Sequence, residues 1–371
     1  MITTIKRSIS VTSSIEEAQG YAPAPTAAVR SGQPVWIQSP RFDLSLFTLS
    51  PLAGLFVILA ALASPMGAYV GIAAVYFVAV PHYVSSFSFY LGDENLAYYR
   101  SRKAAFFLGP IVIMVLVFGL RIVKFGVVIQ SVMYIWNVYH VSLQSAGILS
   151  IYRRLNGGLA SERPWARASL LGLNGAMAFW RIERFPPLYG LLQKIHFPAS
   201  TITPFLFSFG AIAVVLYLSK LRHRSKAISA PELTFLISSL LLFHPYLWVA
   251  DLSLATLGML MGHFLQYLGI VWLLNRRKYP IGEGSRHQRF LSAISRSTPM
   301  LLLTLFGVGF SHFFAVHASS RLGVAGVYDV LWYALTLIHY YLDGLVWAFK
   351  EPFIRKSIGG YLMPESHRVV S

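Results

Sequence analysis

The sequence predicts an all-α, polytopic integral membrane protein, a helical bundle of about ten transmembrane helices, with eight as the lower bound. Three observations lead to this fold class. Hydrophobic residues make up 56% of the 371 residues and charged residues only 12%, and the mean hydropathy is +0.58. Soluble domains are closer to a quarter charged. Apolar segments long enough to cross a bilayer recur along the chain, and short basic clusters separate many of them.

Ten apolar segments are candidate transmembrane helices. They cover residues 44–63, 67–92, 104–120, 125–152, 168–189, 201–218, 232–250, 251–274, 299–318 and 324–349. Arg181, Glu183 and Arg184 interrupt the fifth segment, so an interfacial or re-entrant helix fits it equally well. The segments define one transmembrane domain, residues 41–356. Residues 1–40, rich in Ser, Thr, Ala and Pro, are predicted to form a disordered cytoplasmic tail, and residues 357–371 a cytoplasmic C-terminal tail.

Basic residues predict the orientation of the helices. Lys and Arg cluster after the even-numbered segments, as at Arg153 and Arg276, whereas most connections after odd-numbered segments are poor in them. Arg121 and Lys124 are exceptions. The positive-inside rule then places both termini in the cytoplasm, and we expect the inner membrane of a bacterium as the location. Because the net charge of +17 lies mostly in these connections, membrane lipids are the expected partners, and nucleic acid is not.

The absence of cysteine restricts the chemistry of any bound metal. Without a thiol the chain forms no disulfide, iron–sulfur cluster, thiolate-ligated haem or cysteine nucleophile. A metal ion would have to be held by His, Asp, Glu, Asn, Gln or Tyr side chains.

Four histidines lie at nearly the same depth in even-numbered segments. His82, His140, His263 and His339 each precede the charged end of their segment by 11 to 13 residues. At about 1.5 Å per residue, this places each imidazole roughly 16–20 Å from the helix end, near the middle of a ~30 Å hydrocarbon core. Ionisable side chains at that depth are costly and commonly functional. The sequence therefore predicts that these four histidines are metal ligands.

A polar residue follows each of these histidines by three or four positions. The four are Ser86, Gln144, Gln266 and Asp343. Residues at this spacing share a helix face with the histidine, as a side chain that orients a metal ligand would. Asp343 and Gln144 are the candidate catalytic residues that orient the ligands. For Asp343 a second interpretation stays open, a pairing with Lys350 at the cytoplasmic rim.

Bulky aromatic side chains surround the same segments. We expect them to form an apolar substrate pocket that excludes water. The candidate pocket residues are Trp136, Tyr139, Tyr340, Tyr341 and Trp347.

Imidazole and carboxylate ligands suit iron, copper or zinc. No H-E-x-x-H motif of zinc hydrolases is present, and neither are the clustered histidine motifs of membrane desaturases. A single non-haem iron with an open position for O2 is the preferred cofactor. Haem b clamped by two histidines is the alternative, because Gly147, Gly258 and Gly262 could admit its plane.

The aromatic-rich segments Tyr134-Ile-Trp-Asn-Val-Tyr-His140 and His339-Tyr-Tyr-Leu-Asp343 resemble those of the Brp/Blh family of membrane β-carotene cleavage dioxygenases. The similarity covers about a sixth of the chain, and the family's His-Gly-x-x-Asp-His type segment is missing. The resemblance implies histidine-bound iron, O2 and a lipid-soluble substrate. We therefore expect an iron-dependent oxygenase, dioxygenase or desaturase that acts on a hydrophobic small molecule such as an isoprenoid. A proton-coupled transporter and a bis-histidine haem electron carrier are the alternatives.

Overall fold

The computed structural model describes residues 34–364, apart from 92, 195, 197 and 225–227. The described part of the chain is helical and contains no strand, which confirms the all-α prediction. The helices are α1 (Pro40–Thr48), α2 (Pro51–Ala63), α3 (Pro65–Leu91), α4 (Asp93–Ser101), α5 (Ala104–Ile122), α6 (Gly126–Leu155), α7 (Arg163–Ile182), α8 (Pro186–Lys194), α9 (Ile202–Leu221), α10 (Ala230–Leu241), α11 (Pro245–Trp248), α12 (Leu252–Lys278), α13 (Arg286–Arg296), α14 (Thr298–Arg321), α15 (Ala325–Val346) and α16 (352–362).

Five helices of the described chain are long and apolar enough to cross a membrane, namely α3, α5, α9, α12 and α14. The bent pair α1 and α2, at 44° to each other, gives a sixth if it acts as one span. The count of about ten spans stays a prediction. Helices α6 and α15, with 30 and 22 residues, are long enough to cross, but their polar residues reduce the mean hydropathy. The fifth predicted segment, 168–189, is divided between two helices, because α7 ends at Ile182 and α8 begins at Pro186.

The packed structure extends beyond both predicted boundaries of the transmembrane domain. Ile37 is fully buried before residue 41, and Ile358 and Leu362 are buried after residue 356. Arg277 joins these two ends, because its guanidinium donates to the carbonyl oxygens of Ile37, at 2.6 Å, and Leu362, at 3.0 Å. Most of the predicted N-terminal tail and residues 365–371 lie outside the described residues.

Helix α12 lies at the centre of the bundle and packs closely against α2. A Cβ built on Gly54 of α2 would lie 1.9 Å from the backbone oxygen of Gly258 on α12. Only glycine permits this approach of two backbones, as in other small-residue helix crossings. The close crossing leaves most of α12 enclosed by the neighbouring helices.

Helix α3 changes its winding just before the first of the four histidines. Residues Val75–Ala79 form a π-helical turn, and Pro81 follows two residues later. Proline lacks an amide hydrogen, and its ring clashes with the carbonyl group four residues earlier. A π turn at that point relieves the clash, and it fixes the face of α3 on which His82 lies.

Two arginines of the basic clusters that follow even-numbered segments belong to a buried ion network. Arg153 at the end of α6 lies 2.7 Å from Glu162, and Arg224 after α9 pairs with both Glu162 and Glu232. Both carboxylates are fully buried. The network joins the ends of α6, α9 and α10, so part of the basic charge at this end of the bundle is neutralised within the fold.

Candidate metal centre

The four predicted histidines converge in the interior of the bundle. Helices α3, α6, α12 and α15 each supply one of them, and their ring centroids are 4.6 Å apart for His82 and His339, 4.8 Å for His82 and His263, 5.0 Å for His140 and His263, and 5.3 Å for His140 and His339. Three of the imidazoles are fully buried, and His140 is 8% exposed. The equal depth read from the sequence therefore corresponds to a single cluster.

Two overlapping sets of three side chains have the spacing of metal ligands. One consists of His82, His263 and His339, and the other of His140, His339 and Asp343. Within each set the possible ligand atoms lie within 4.8 Å of one another. Both sets contain His339, so the way in which His339 can bind decides whether they form one site or two.

His339 has one nitrogen available for a metal. Its Nδ1 is hydrogen-bonded to the Ser86 hydroxyl at 2.8 Å. Its Nε2 lies 3.0 Å from the Nε2 of His82 and 3.8 Å from Oδ2 of Asp343. A ring nitrogen has one lone pair and binds one ion, so the two sets would act as a single site with up to five donors. Two nitrogens at about 2.1 Å from one ion and 90° apart are about 3.0 Å from each other, which is the observed separation from His82.

Several ring nitrogens of the cluster have no hydrogen-bond partner. Among the described residues this holds for Nδ1 of His82, Nε2 of His140 and both nitrogens of His263. Buried polar atoms are rarely left unpaired, since each costs about 1–3 kcal/mol. A cation at the centre of the cluster would use the lone pairs of these rings. The donor set therefore fits a metal ion, which would pair Nε2 of His140 and one nitrogen of His263. Nδ1 of His82 faces away from such an ion, because Nε2 of the same ring is the nitrogen that lies against His339.

Asp343 lies against the histidines, and among the described residues it makes no ion pair with Lys350. Its Oδ2 is 3.7 Å from Nε2 of His140. Its other oxygen, Oδ1, accepts hydrogen bonds from the Tyr267 hydroxyl at 2.7 Å and the Ser86 hydroxyl at 3.2 Å. These bonds hold the carboxylate so that Oδ2 faces the cluster. The geometry thus favours the first interpretation of Asp343 over the pairing with Lys350.

The other polar partners differ from the sequence prediction. Ser86 supports His339 of α15 and not His82 of its own helix. Gln144 donates to the backbone oxygen of His263 at 3.4 Å, and its carbonyl oxygen has no hydrogen-bond partner among the described residues. Gln266 donates to Phe47 and Ser50 of the α1–α2 region. In this structure Gln144 joins two helices, and its role as a side chain that orients an imidazole stays a prediction.

Most of the residues predicted to form an aromatic pocket do not pack on the histidine rings. Of its five residues only Tyr340 packs on a histidine of the cluster, 4.6 Å from His140, and its hydroxyl donates to Asn137. Trp136 and Tyr139 are 37% and 49% exposed on the outer face of α6. Tyr341 bonds the α5 backbone, and Trp347 packs against Phe89 and Tyr267. Four of the five residues therefore do not form a wall around the histidines.

Three aromatic residues that the sequence did not single out enclose the cluster. Phe264 lies 4.7 Å from His82, Tyr83 lies 5.1 Å from His339, and Tyr267 lies 4.5 Å from His82. Tyr267 follows His263 by four positions, so the same-face spacing could have identified it. The polar partner predicted from the sequence was Gln266, one residue earlier.

Comparisons of the chain with protein-family models, with curated proteins and with solved structures found no significant match. Any function therefore has to follow from the chemistry of this site. Its donors, four imidazoles and one carboxylate in a buried and largely apolar surrounding, have the ligand chemistry of a transition-metal centre.

Proposed function

We propose that the protein is a membrane-embedded oxygenase, dioxygenase or desaturase with a single non-haem iron held by His82, His140, His263, His339 and Asp343. The substrate is lipidic, an isoprenoid included. The observation that supports this proposal most strongly is that two buried sets of three possible ligands share His339, while ring nitrogens of His140 and His263 have no hydrogen-bond partner. Iron at this point would supply the one-electron chemistry that activates O2.

The number and type of donors favour iron over zinc. Structural zinc is almost always held by four ligands, and catalytic zinc by three protein ligands and water. Five donors of mixed nitrogen and oxygen type, with the spacing of 90° ligands between His82 and His339, suit the higher coordination of ferrous iron. The protein's part is to hold the ion, to exclude water by burying it, and to fix the carboxylate through Ser86 and Tyr267.

The packing of the four rings speaks against haem b. A bis-histidine haem separates its two axial rings by the iron and a wide macrocycle. Here each ring lies within about van der Waals contact of two others, and Phe264 and Tyr267 cover His82. No space for a macrocycle remains between them, so the haem electron carrier is the weaker hypothesis.

A proton-coupled transporter is a second candidate function. Hydrogen bonds run from His82 to His339 at 3.0 Å, from His339 to Ser86 at 2.8 Å, and from Ser86 to Tyr267 at 2.7 Å. Such chains of titratable and hydroxyl groups inside a bundle also occur in proton relays. Transport activity without bound metal would favour this function over the oxygenase.

We further propose that the chain resides in the cytoplasmic membrane of a bacterium with both termini in the cytoplasm. The candidate spans of the structure and the basic connections support this placement. Reporter fusions at Lys226 and Arg321 test the count of spans. Three crossings between them, by the α10–α11 segment, α12 and α14, put the reporters on opposite sides. If only α12 and α14 cross, the reporters share one side and the ten-span prediction is wrong.

Metal analysis together with an optical spectrum of the purified protein tests the function. We expect about one iron per chain and no Soret band. A Soret band would show that the bound iron is in a haem and would contradict the non-haem iron centre. Protein that stays metal-free after anaerobic loading with ferrous iron, although the fold is intact, would contradict the oxygenase proposal. The weak resemblance to β-carotene cleavage dioxygenases gives a first set of polyene substrates to assay.

A further inference from the structure

A cavity of about 570 Å³ lies between α3, α14 and α15. This volume is within the roughly 300–1,000 Å³ that is usual for small-molecule sites. Val80 and Val84 of α3, Val308 and His312 of α14, and Trp332 and Leu335 of α15 form much of its wall. None of the five aromatic residues predicted from the sequence to form a substrate pocket lines it.

The cavity and the histidine cluster share one face of α15. Tyr328, Trp332 and Leu335 line the cavity, and His339 follows Leu335 by four residues. The successive spacings of four, three and four residues place all four side chains on a single stripe, and one turn of helix separates Leu335 from His339. The metal-binding side chains thus begin where the cavity wall ends.

Tyr83 is the partition between the two spaces. Its ring lies 5.2 Å from Trp332 in the cavity wall and 5.1 Å from His339 in the cluster. It comes between Val80 and Val84 in the sequence and lies on nearly the same face of α3. A ligand in the cavity would therefore be separated from the cluster by a single aromatic side chain.

The polar groups of the cavity suit an uncharged ligand with one hydrogen-bonding end. No Asp, Glu, Lys or Arg of the described chain lines it. The hydroxyls of Thr304 and Ser311 donate to carbonyl oxygens of their own helix. The Tyr328 hydroxyl is hydrogen-bonded to Nδ1 of His312, which leaves Nε2 of His312 without a partner among the described residues. In the described part of the wall, the His312–Tyr328 pair therefore offers an end group a ring nitrogen and a hydroxyl side by side.

The cavity is accessible from the outer surface of the bundle. Helix α14 is the least enclosed of the candidate spans, with 6% of its apolar window buried. At the rim, Val84 is 44% exposed and Phe290 is 47% exposed. In a membrane this surface faces the lipid, so a hydrophobic molecule could enter from the bilayer without crossing water.

We propose that this cavity is the substrate site of the metal centre and that it takes a neutral amphiphile, with an apolar chain and a single hydroxyl or carbonyl end. The chain lies along Val80, Val308 and Leu335, and the end group binds the His312–Tyr328 pair. Tyr83 separates the bound chain from His339 and moves aside for reaction. This inference rests on the proposed oxygenase function, since it assigns that function's substrate class and entry route.

Two cavity variants with matched controls test the site. A Cβ at Gly307, in the cavity wall, meets nothing within 4 Å, so Gly307→Leu fills the cavity without a backbone clash. Gly119→Leu is the control, because Gly119 is an equally open glycine on α5, outside the cavity wall. Tyr328→Phe removes the hydroxyl of the end-group pair. Tyr333→Phe, on the same helix but outside the cavity wall, is its control.

The probe is tritiated geranylgeraniol, a neutral isoprenoid alcohol, and its binding to the full-length protein in lipid nanodiscs is measured by equilibrium dialysis. We expect one saturable site, at least about tenfold weaker binding in Gly307→Leu, about fivefold weaker in Tyr328→Phe, and unchanged binding in both controls. Geranylgeranyl phosphate, with the same chain and a charged end, should bind at least about tenfold more weakly.

The iron content of the same samples separates the two proposals. Equal binding of the alcohol to the wild type and to Gly307→Leu would overturn the cavity site. Equal binding of the alcohol and the phosphate would overturn the neutral class of ligand. If the expected binding pattern appears in protein that cannot be loaded with iron, the lipid site stands and the oxygenase proposal is wrong.

Discussion

Helices α12 and α14 have nearly the same hydropathy but opposite environments. Their most apolar windows have mean hydropathies of 1.6 and 1.7, and the helices contain 27 and 24 residues. Yet 78% of the α12 window is buried and only 6% of the α14 window. Hydropathy therefore indicates that a helix can enter a membrane, and it does not indicate where in the bundle the helix lies.

Small and polar side chains account for the difference. Helix α12 has Gly258 where α2 crosses, and it has His263, Gln266 and Tyr267 facing the interior. Helix α14 has exposed phenylalanines along most of its length. Lipid tails are as apolar as a leucine side chain, so helix association inside a membrane depends on close packing and on polar contacts. Helix α14 makes such contacts on one side, at Gly309 against the α3 backbone and at His312 against Tyr328, and the rest of its surface stays exposed.

The largest effect is expected from a methyl group added at the α2–α12 crossing. In Gly54→Ala the new Cβ would lie 1.9 Å from a backbone oxygen of Gly258, which cannot move as a side chain does. We expect a loss of about 3 kcal/mol or more in the free energy of unfolding. Gly307→Ala on α14, with nothing within 4 Å, should change it by less than about 1 kcal/mol. Thermal unfolding followed by size-exclusion chromatography measures both, and equal stability of the two variants would contradict the close crossing.

A histidine of α12 and a histidine of α14 should differ in their effect on metal binding. His263 is fully buried in the cluster, whereas His317 lies on the exposed surface of α14. We expect His263→Ala to reduce the affinity for iron more than about 100-fold, since a ligand contributes more than the residues that orient it. His317→Ala should bind iron as the wild type does. Iron titration of both folded variants is the measurement, and similar affinities would remove His263 from the site.

Asp343→Asn should damage metal retention more than folding. The amide is nearly the same size and still accepts from Tyr267 and Ser86, so the packing should survive. The amide oxygen can still face the ion as a neutral donor, so the loss of the negative charge should lower the affinity for iron by about 10–100-fold, less than the loss of a whole ligand. A monodisperse variant with full iron content would show that Asp343 is structural. A variant that does not fold would instead favour a buried ion pair with a protonated histidine.

The smallest effect is expected from the removal of the Tyr267 hydroxyl, which contacts the proposed ligand Asp343 and not the metal itself. In Tyr267→Phe the bonds to Asp343 and Ser86 are lost, while the ring still packs on His82. We expect about tenfold weaker iron binding. Tyr333→Phe on α15, 37% exposed and remote from the cluster, is the control and should have no effect. If both variants keep the affinity of the wild type, the orientation of Asp343 does not depend on Tyr267.

The sequence predicted the helical class and the residues of the cluster because both depend on position along a helix. The depth of His82, His140, His263 and His339 follows from counting residues to the charged ends. The partners of these histidines depend on how neighbouring helices are rotated. Ser86 bonds His339 of another helix, which spacing along one helix cannot predict.

The cavity was missed for a related reason. The densest aromatic segments of the sequence predicted the place of the substrate pocket, but aromatic side chains are also common on lipid-facing surfaces. Trp136 and Tyr139 are exposed on the outer face of α6. The observed cavity is lined mainly by small and aliphatic residues of α3, α14 and α15, with Phe290 of α13 at its rim, so no single segment of the sequence indicates it.

X-ray absorption at the iron edge of the loaded protein tests the metal centre most directly, because it counts donors and recognises imidazole by its outer-shell scattering. We predict one iron with about five nitrogen and oxygen donors at about 2.0–2.2 Å, at least three of them imidazoles. In His263→Ala the imidazole contribution should fall by one, and in His317→Ala it should not change. Iron without imidazole scattering, or with the same spectrum in both variants, would contradict the assignment of the four histidines as its ligands.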